Sequence, residues 1–154
     1  MPDALYAARR PAGDVTLAAE AAFWLLIARL ALSSLTFHQI VRLVARPPRR
    51  PDSLATTGSS RRVGWAVEAA ARRAPWRCLC FERGLAAYVM LRIRGCDPTL
   101  HYGARSDAPD GPHAHVWVQL GSLAVVGCDE AVGFATLATF PVRGHGGRID
   151  GDAR

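Results

Sequence analysis

The sequence predicts an α+β fold, with helices packed on a small antiparallel sheet, on three observations. Apolar residues recur at helical spacing from Val15 to Ala45 and again from Arg61 to Arg94. After Gly95 the pattern changes to strand alternation, clearest in His113-Ala114-His115-Val116-Trp117-Val118-Gln119-Leu120, with Gly121-Ser122 as a hairpin turn. A chain of 154 residues is long enough for one domain with a real core and too short for two full ones, so appendages are expected around a single domain.

Composition narrows the class. Hydrophobic residues make up 50% and charged residues 21%, as in an ordinary globular protein, and a mean hydropathy of +0.08 argues against a multi-span membrane protein. The net charge of +6 rests on 19 basic residues, all of them arginine. Such a balance suits nucleic acid, an anionic membrane or an acidic peptide. No basic stripe interleaved with aromatics occurs, so no nucleic-acid partner is expected. Four cysteines, at positions 78, 80, 96 and 128, come without the pattern of a signal peptide, which points to the reducing cytoplasm. Cys78 and Cys80 are one residue apart rather than paired as Cys-x-x-Cys, so neither a disulfide framework nor a zinc site is expected, and no cofactor is implied.

In chain order, residues 1–46 read as an N-terminal helical extension behind a frayed leader. Its most apolar part, Ala21 to Leu35, is bounded by Glu20, contains Arg29 and carries Ser33 and Ser34, with Thr36 beyond. It falls short of an uninterrupted spanning run, and a packed helix, or a pair broken near Ser33 to Phe37, is expected instead of stable membrane insertion. Its apolar excess suits packing on its own domain or a docking face for a partner. Residues 47–60, rich in Pro, Ser, Thr and Gly, read as a linker, 61–141 as the main domain and 142–154 as a disordered tail.

Ser59 or Ser60 suits the cap of a helix over Arg61 to Ala74, ended by Pro75. A second helix follows, with helix formers from Glu82 to Arg94 and a stop at Gly95. Cys80 then lies in or just before its first turn. Unpaired backbone N–H groups and the positive end of the helix dipole favour a thiolate there, which makes Cys80 a candidate nucleophile; the competing reading is a small buried hydrophobe. His115, downstream on the alternating strand, is the candidate base, a Cys/His pair being adjacent in space rather than in sequence. Trp76 and Trp117 either wall a substrate cleft or fill core, and His101 and His113 are read as bystanders.

Four segments, Val63-Gly64-Trp65-Ala66-Val67-Glu68, Cys80-Phe81-Glu82-Arg83-Gly84-Leu85-Ala86-Ala87, Met90-Leu91-Arg92-Ile93-Arg94-Gly95 and Ala114-His115-Val116-Trp117-Val118, carry a family resemblance in their order and spacing. From about Arg61 to Phe140 the chain resembles the B proteins of lasso-peptide biosynthesis, transglutaminase-like and papain-like leader peptidases also called microcin-processing proteins. The resemblance implies a transglutaminase-like cysteine peptidase core. It also implies removal of the leader from a ribosomally made precursor, which frees the core peptide for a separate ATP-using macrolactam cyclase. The helical N-terminal segment resembles the split form of the family, which depends on a separate leader-recognition protein.

The family's cysteine falls on Cys80 and its histidine on His115. Cys78 competes as nucleophile, but the pattern Cys-x-x-Arg-x-Leu-Ala selects Cys80. The family's third residue, an aspartate after the hairpin, has no direct match: an ungapped count from His115 reaches Gly127. Asp129 is the nearest carboxylate and is taken as the third catalytic residue, which orients His115, with a water or a backbone carbonyl as the alternative. A three-residue hairpin loop would put Asp129 on the face of His115 and a two-residue loop would turn it away. Two rival functions stay open, a transglutaminase-like amide transferase and a non-catalytic adaptor of a peptide-maturation complex.

Overall fold

A computed structural model describes residues 12–36, 39–40, 57–106 and 111–140, within which three long helices lie against one antiparallel sheet. The helices are α1 (Ala12–Ser34), α2 (Thr57–Ala71) and α3 (Cys80–Ile93). The strands are β1 (Thr99–Arg105), β2 (His113–Leu120), β3 (Leu123–Val126) and β4 (Ala135–Phe140), in the order β3-β2-β1-β4. This is the expected α+β arrangement. The linker as far as residue 56 and the tail 142–154 lie outside the described residues.

Local chemistry sets the limits of α3. Leu79 is extended at the N-cap, and its backbone N–H donates to Oε2 of Glu82 at 3.2 Å, the half of a capping box that a glutamate at the third helical position supplies. At the other end Gly95 adopts φ +75°, its N–H donates to the Arg92 carbonyl at 3.1 Å and that of Cys96 to the Leu91 carbonyl at 3.0 Å, so the helix closes in a Schellman motif. α2 differs from expectation at both ends. It starts at Thr57, so Ser60 lies inside the first turn, fully buried with its hydroxyl 4.0 Å from the Cys96 sulfur, and it ends at Ala71 ahead of a turn that contains Pro75. Its buried face, Val63, Ala66, Val67 and Ala70, is the one its periodicity indicates.

The sheet hydrogen-bonds as hairpins. β1 pairs with β2 over its whole length, and Leu120 opposite Leu123 leaves Gly121 and Ser122 as a two-residue turn. Gln119 faces Ala124 but Val118 faces Val126, so Val125 is an extra residue, a bulge that shifts the phase of β3 by one. α3 is seated on β2 through Gly84, where a Cβ would lie 2.6 Å from Cγ1 of Val116. The absence of a side chain at Gly84 brings the first turns of α3 down beside the start of β2.

α1 buries the stripe Ala21, Leu25 and Ala28 and exposes Val15, Phe23, Leu26, Ile27 and Leu30. Its stretch Gly13–Ser34 is long and apolar enough to cross a membrane, by length and composition alone. Its three ionisable side chains are nevertheless all engaged with the neighbouring helices: Asp14 with Arg62 at 2.6 Å, Glu20 with Arg94 at 2.9 Å and Arg29 with Glu82 at 3.2 Å. The helix stops at Ser34. A new turn starts where Thr36 receives the amide N–H of Ile40 on its carbonyl and donates its own to Oε1 of Gln39, which puts the break where the serines and Thr36 indicate it.

The Glu20 pair has a pH consequence. The Arg94 guanidinium, by hydrogen bond and charge, holds the Glu20 carboxyl below its ordinary value against the opposing effect of burial. A carboxylate depressed in the folded state stabilises above the unfolded value, about pH 4, and loses that contribution as pH falls through the folded value. Glu20→Gln is therefore expected to flatten the acid side of the melting-temperature profile and leave the neutral-to-basic side parallel to wild type.

Candidate active site

Cys80 is the first residue of α3, half-buried and with a free thiol. The next turn of the helix presents Arg83, whose guanidinium is shared between Glu68 of α2, at 3.2 Å, and Glu130 of a short 3-10 turn (Asp129–Ala131), at 3.5 Å. Behind Cys80, Arg29 of α1 reaches Glu82 and lies 5.8 Å from the centre of the Trp76 ring, so three helices meet at the mouth of α3.

His115 lies on β2, 5% exposed, at the end of the sheet beside those first turns. Its Nε2 is 2.7 Å from the carbonyl oxygen of Gly127. A carbonyl can only accept, so Nε2 carries the hydrogen and donates it, and in the neutral ring Nδ1 is the free base. The ring is further held by Trp117, centroids 6.0 Å apart, and by Phe134 at 5.3 Å.

Gly127 occupies the slot that the count from His115 reaches. It has φ +71°, and a Cβ there would lie 2.8 Å from the Val116 carbonyl oxygen and 3.2 Å from Nε2 of His115. No side chain fits, and the backbone carbonyl takes the ring hydrogen. The hairpin has the two-residue turn; the Val125 bulge restores the phase that this turn costs, but β3 ends at Val126 and the chain leaves the sheet. Asp129 consequently sits exposed at the start of the 3-10 turn, and among the described residues no hydrogen bond or ion pair joins it to His115. The carboxylate within ion-pair range of the ring is that of Glu130, with Oε2 at 3.9 Å from Nε2. Glu130, Arg83 and the Gly127 carbonyl were not singled out from sequence, and only the acidic pair Asp129-Glu130 after the hairpin signals them there.

Among the described residues Sγ of Cys80 makes no hydrogen bond to His115. The two elements touch one step away, through Gly84 on Val116. Catalytic hydrogen bonds of enzymes without substrate are often long and tighten on binding. Trp117 is buried and stacked between His101, at 5.2 Å, and His115, so it backs the histidine rather than facing an open cleft. Trp76 is half-buried, with Nε1 buried and without a hydrogen-bond partner among the described residues, at one end of an apolar hollow of about 490 Å³ between α1 and α2. No group of three His, Cys, Asp or Glu side chains among the described residues is placed to hold a metal ion.

The other thiols differ from Cys80 in their surroundings. Burial pushes the Cys78 thiol up, with the Glu82 carboxylate adding to it. Burial also pushes the Cys128 thiol up, and Cys96 is enclosed in the core. A limiting amount of iodoacetamide at neutral pH is therefore expected to alkylate Cys80 first. Fragmentation of the tryptic peptide from Cys78 to Arg83 separates the two candidate sulfurs, and first modification at Cys78 would be the contrary result.

Against known proteins, no curated protein and no solved structure matches the chain. A family model does match: that of the transglutaminase-like superfamily, over residues 22–139, from inside α1 through Cys80 and His115 almost to the end of β4. The superfamily includes cysteine peptidases and transglutaminases, and its catalysis is typically cysteine-based. With its helices on a four-stranded antiparallel sheet and this match across most of its length, the chain belongs to the transglutaminase-like superfamily.

Proposed function

We propose that this protein is a cysteine peptidase that removes the leader from a ribosomally synthesised lasso-peptide precursor, with Cys80 as nucleophile and His115 as general base. The observation that carries the reading is the hydrogen bond from Nε2 of His115 to the Gly127 carbonyl. It leaves Nδ1 as the basic nitrogen, on the strand that packs under the Cys80 helix. Nδ1 takes the thiol proton, the thiolate attacks the scissile carbonyl, and backbone N–H groups at the start of α3 receive the oxyanion. The imidazolium then protonates the departing amine of the core peptide, and water, deprotonated by the same nitrogen, hydrolyses the thioester to leader and free thiol. Orientation of the ring falls to the Gly127 carbonyl, the part held elsewhere by a carboxylate.

The segments of resemblance around Cys80 and His115 support the lasso-peptide assignment, and the transglutaminase-like family supports the chemistry. Four free cysteines support a cytoplasmic location. The resemblance of the helical N-terminal segment to the split form of the family supports dependence on a separate leader-recognition protein, with a macrolactam cyclase acting on the released core.

Mass spectrometry of a candidate precursor incubated with this protein and its leader-recognition partner tests the reading. Two fragments whose masses sum to the precursor plus one water are expected. A fragment that carries an amine in place of that water would make the protein an amide transferase, and an intact precursor would favour the adaptor.

A further inference from the structure

A chain of opposite charges runs from the first turns of the Cys80 helix to the candidate base: Glu68 to Arg83 at 3.2 Å, Arg83 to Glu130 at 3.5 Å, and Glu130 to Nε2 of His115 at 3.9 Å. It joins α2, α3, the 3-10 turn and β2. The Gly127 carbonyl fixes the ring's orientation, and its hydrogen bond strengthens when the ring takes a proton, but it carries no net charge to balance the imidazolium. A carboxylate supplies that charge. Among the described residues no hydrogen bond or ion pair joins Asp129 to the ring, whereas the Glu130 carboxylate lies within ion-pair range of it. On the proposed catalytic reading of His115, we propose that Glu130 is the positioning carboxylate of this site, stabilising the His115 imidazolium, and that Arg83, anchored by Glu68, holds Glu130 in place.

The geometry also limits the size of the effect. Glu130 is 59% exposed and its distance to Nε2 is that of an ion pair rather than a short hydrogen bond, so water screens it and its charge tunes the ring by a modest amount. The neighbouring elements carry other charged or titratable groups: Arg83 and Cys80 on α3, Glu68 on α2, His101 and Arg105 on β1, His113 on β2, and Cys128 and Asp129 after β3. Arg105 lies over Phe134, which is itself against the ring, 5.0 Å from guanidinium to ring centre, and His101 is separated from His115 by Trp117. Among them the direct ion-pair contact with His115 is that of Glu130.

The sign follows from the charge. Removing a carboxylate beside a ring disfavours the ring's protonated form, so its titration curve slides to lower pH. NMR titration of the His115 ring in the full chain, comparing wild type with Glu130→Gln and Asp129→Asn, reads this directly and needs no substrate. The expected result is a curve displaced to lower pH in Glu130→Gln, with Asp129→Asn superimposed on wild type. Arg83→Gln, which frees Glu130, should give part of the same displacement; should it fold poorly, Glu68→Gln serves the same purpose. An unmoved curve in Glu130→Gln, or a displacement found in Asp129→Asn instead, overturns the proposal. Failure of the peptidase reading would show separately, as an intact precursor with the titration still displaced.

Discussion

On the proposed peptidase reading, Cys80→Ala is expected to abolish leader removal, lowering kcat/KM at least about a thousandfold, with circular dichroism and melting temperature close to wild type. The size follows from the role: without the sulfur no thioester forms, and only binding and the oxyanion donors remain. The fold should survive because Cys80 is half-buried at a helix start whose cap is made by Glu82 and Leu79 rather than by the cysteine. Cys78→Ala is the matched control. Its sulfur lies ahead of the helix, where burial and Glu82 keep the thiol protonated, and cleavage within a few-fold of wild type is expected. Rates are read as product ions over time with the leader-recognition partner present.

Gly64→Ala is expected to cause the largest loss of stability for the smallest change. A helix interior gains from alanine, by up to about 1 kcal/mol over glycine. Against that, a Cβ at Gly64 would stand 2.3 Å from the Val125 carbonyl oxygen and 3.2 Å from its carbon. That neighbour is strand backbone and cannot rotate aside, so α2 and β3 must separate. Overpacking of this kind costs about 1–3 kcal/mol, and the overlap here places it at the upper end. The clash outweighs the helix term by about 2 kcal/mol, and a melting temperature lower by roughly 4–8 °C is expected. Gly84→Ala meets a movable methyl of Val116 and should cost less. Because Val125 is the bulged residue two before Gly127, the displacement at Gly64 should reach the acceptor of His115 and lower activity beyond the loss of folded protein. A higher melting temperature in Gly64→Ala would show that the helix term dominates.

These two sites show which parts of the molecule were legible in the sequence. The ends of α3 were, because a glutamate three residues after the cap and a glycine after the last turn act locally. The start of α2 was misplaced: Ser60 has the chemistry of a cap, but packing against Cys96 draws it into the first turn instead. α1 was recognisable as a helix, yet its pairs Glu20–Arg94 and Arg29–Glu82 join residues far apart in sequence and leave no local pattern. The candidate nucleophile and base were named from residue type and position. What holds the base stayed open between Asp129, a water and a backbone carbonyl, because a carbonyl such as that of Gly127 carries no side-chain signature, and because the Val125 bulge and the turn at Asp129 decide by one residue which carboxylate reaches the ring.

The central claim is acyl transfer through Cys80, and the most direct test is mass spectrometry of the protein acid-quenched during turnover of precursor with the leader-recognition partner. A protein heavier by the leader acyl group is expected, carried as a thioester on Cys80 and absent from Cys80→Ala, which also releases no core peptide. An adduct on Cys78, or core peptide released by Cys80→Ala at the wild-type rate, would contradict it.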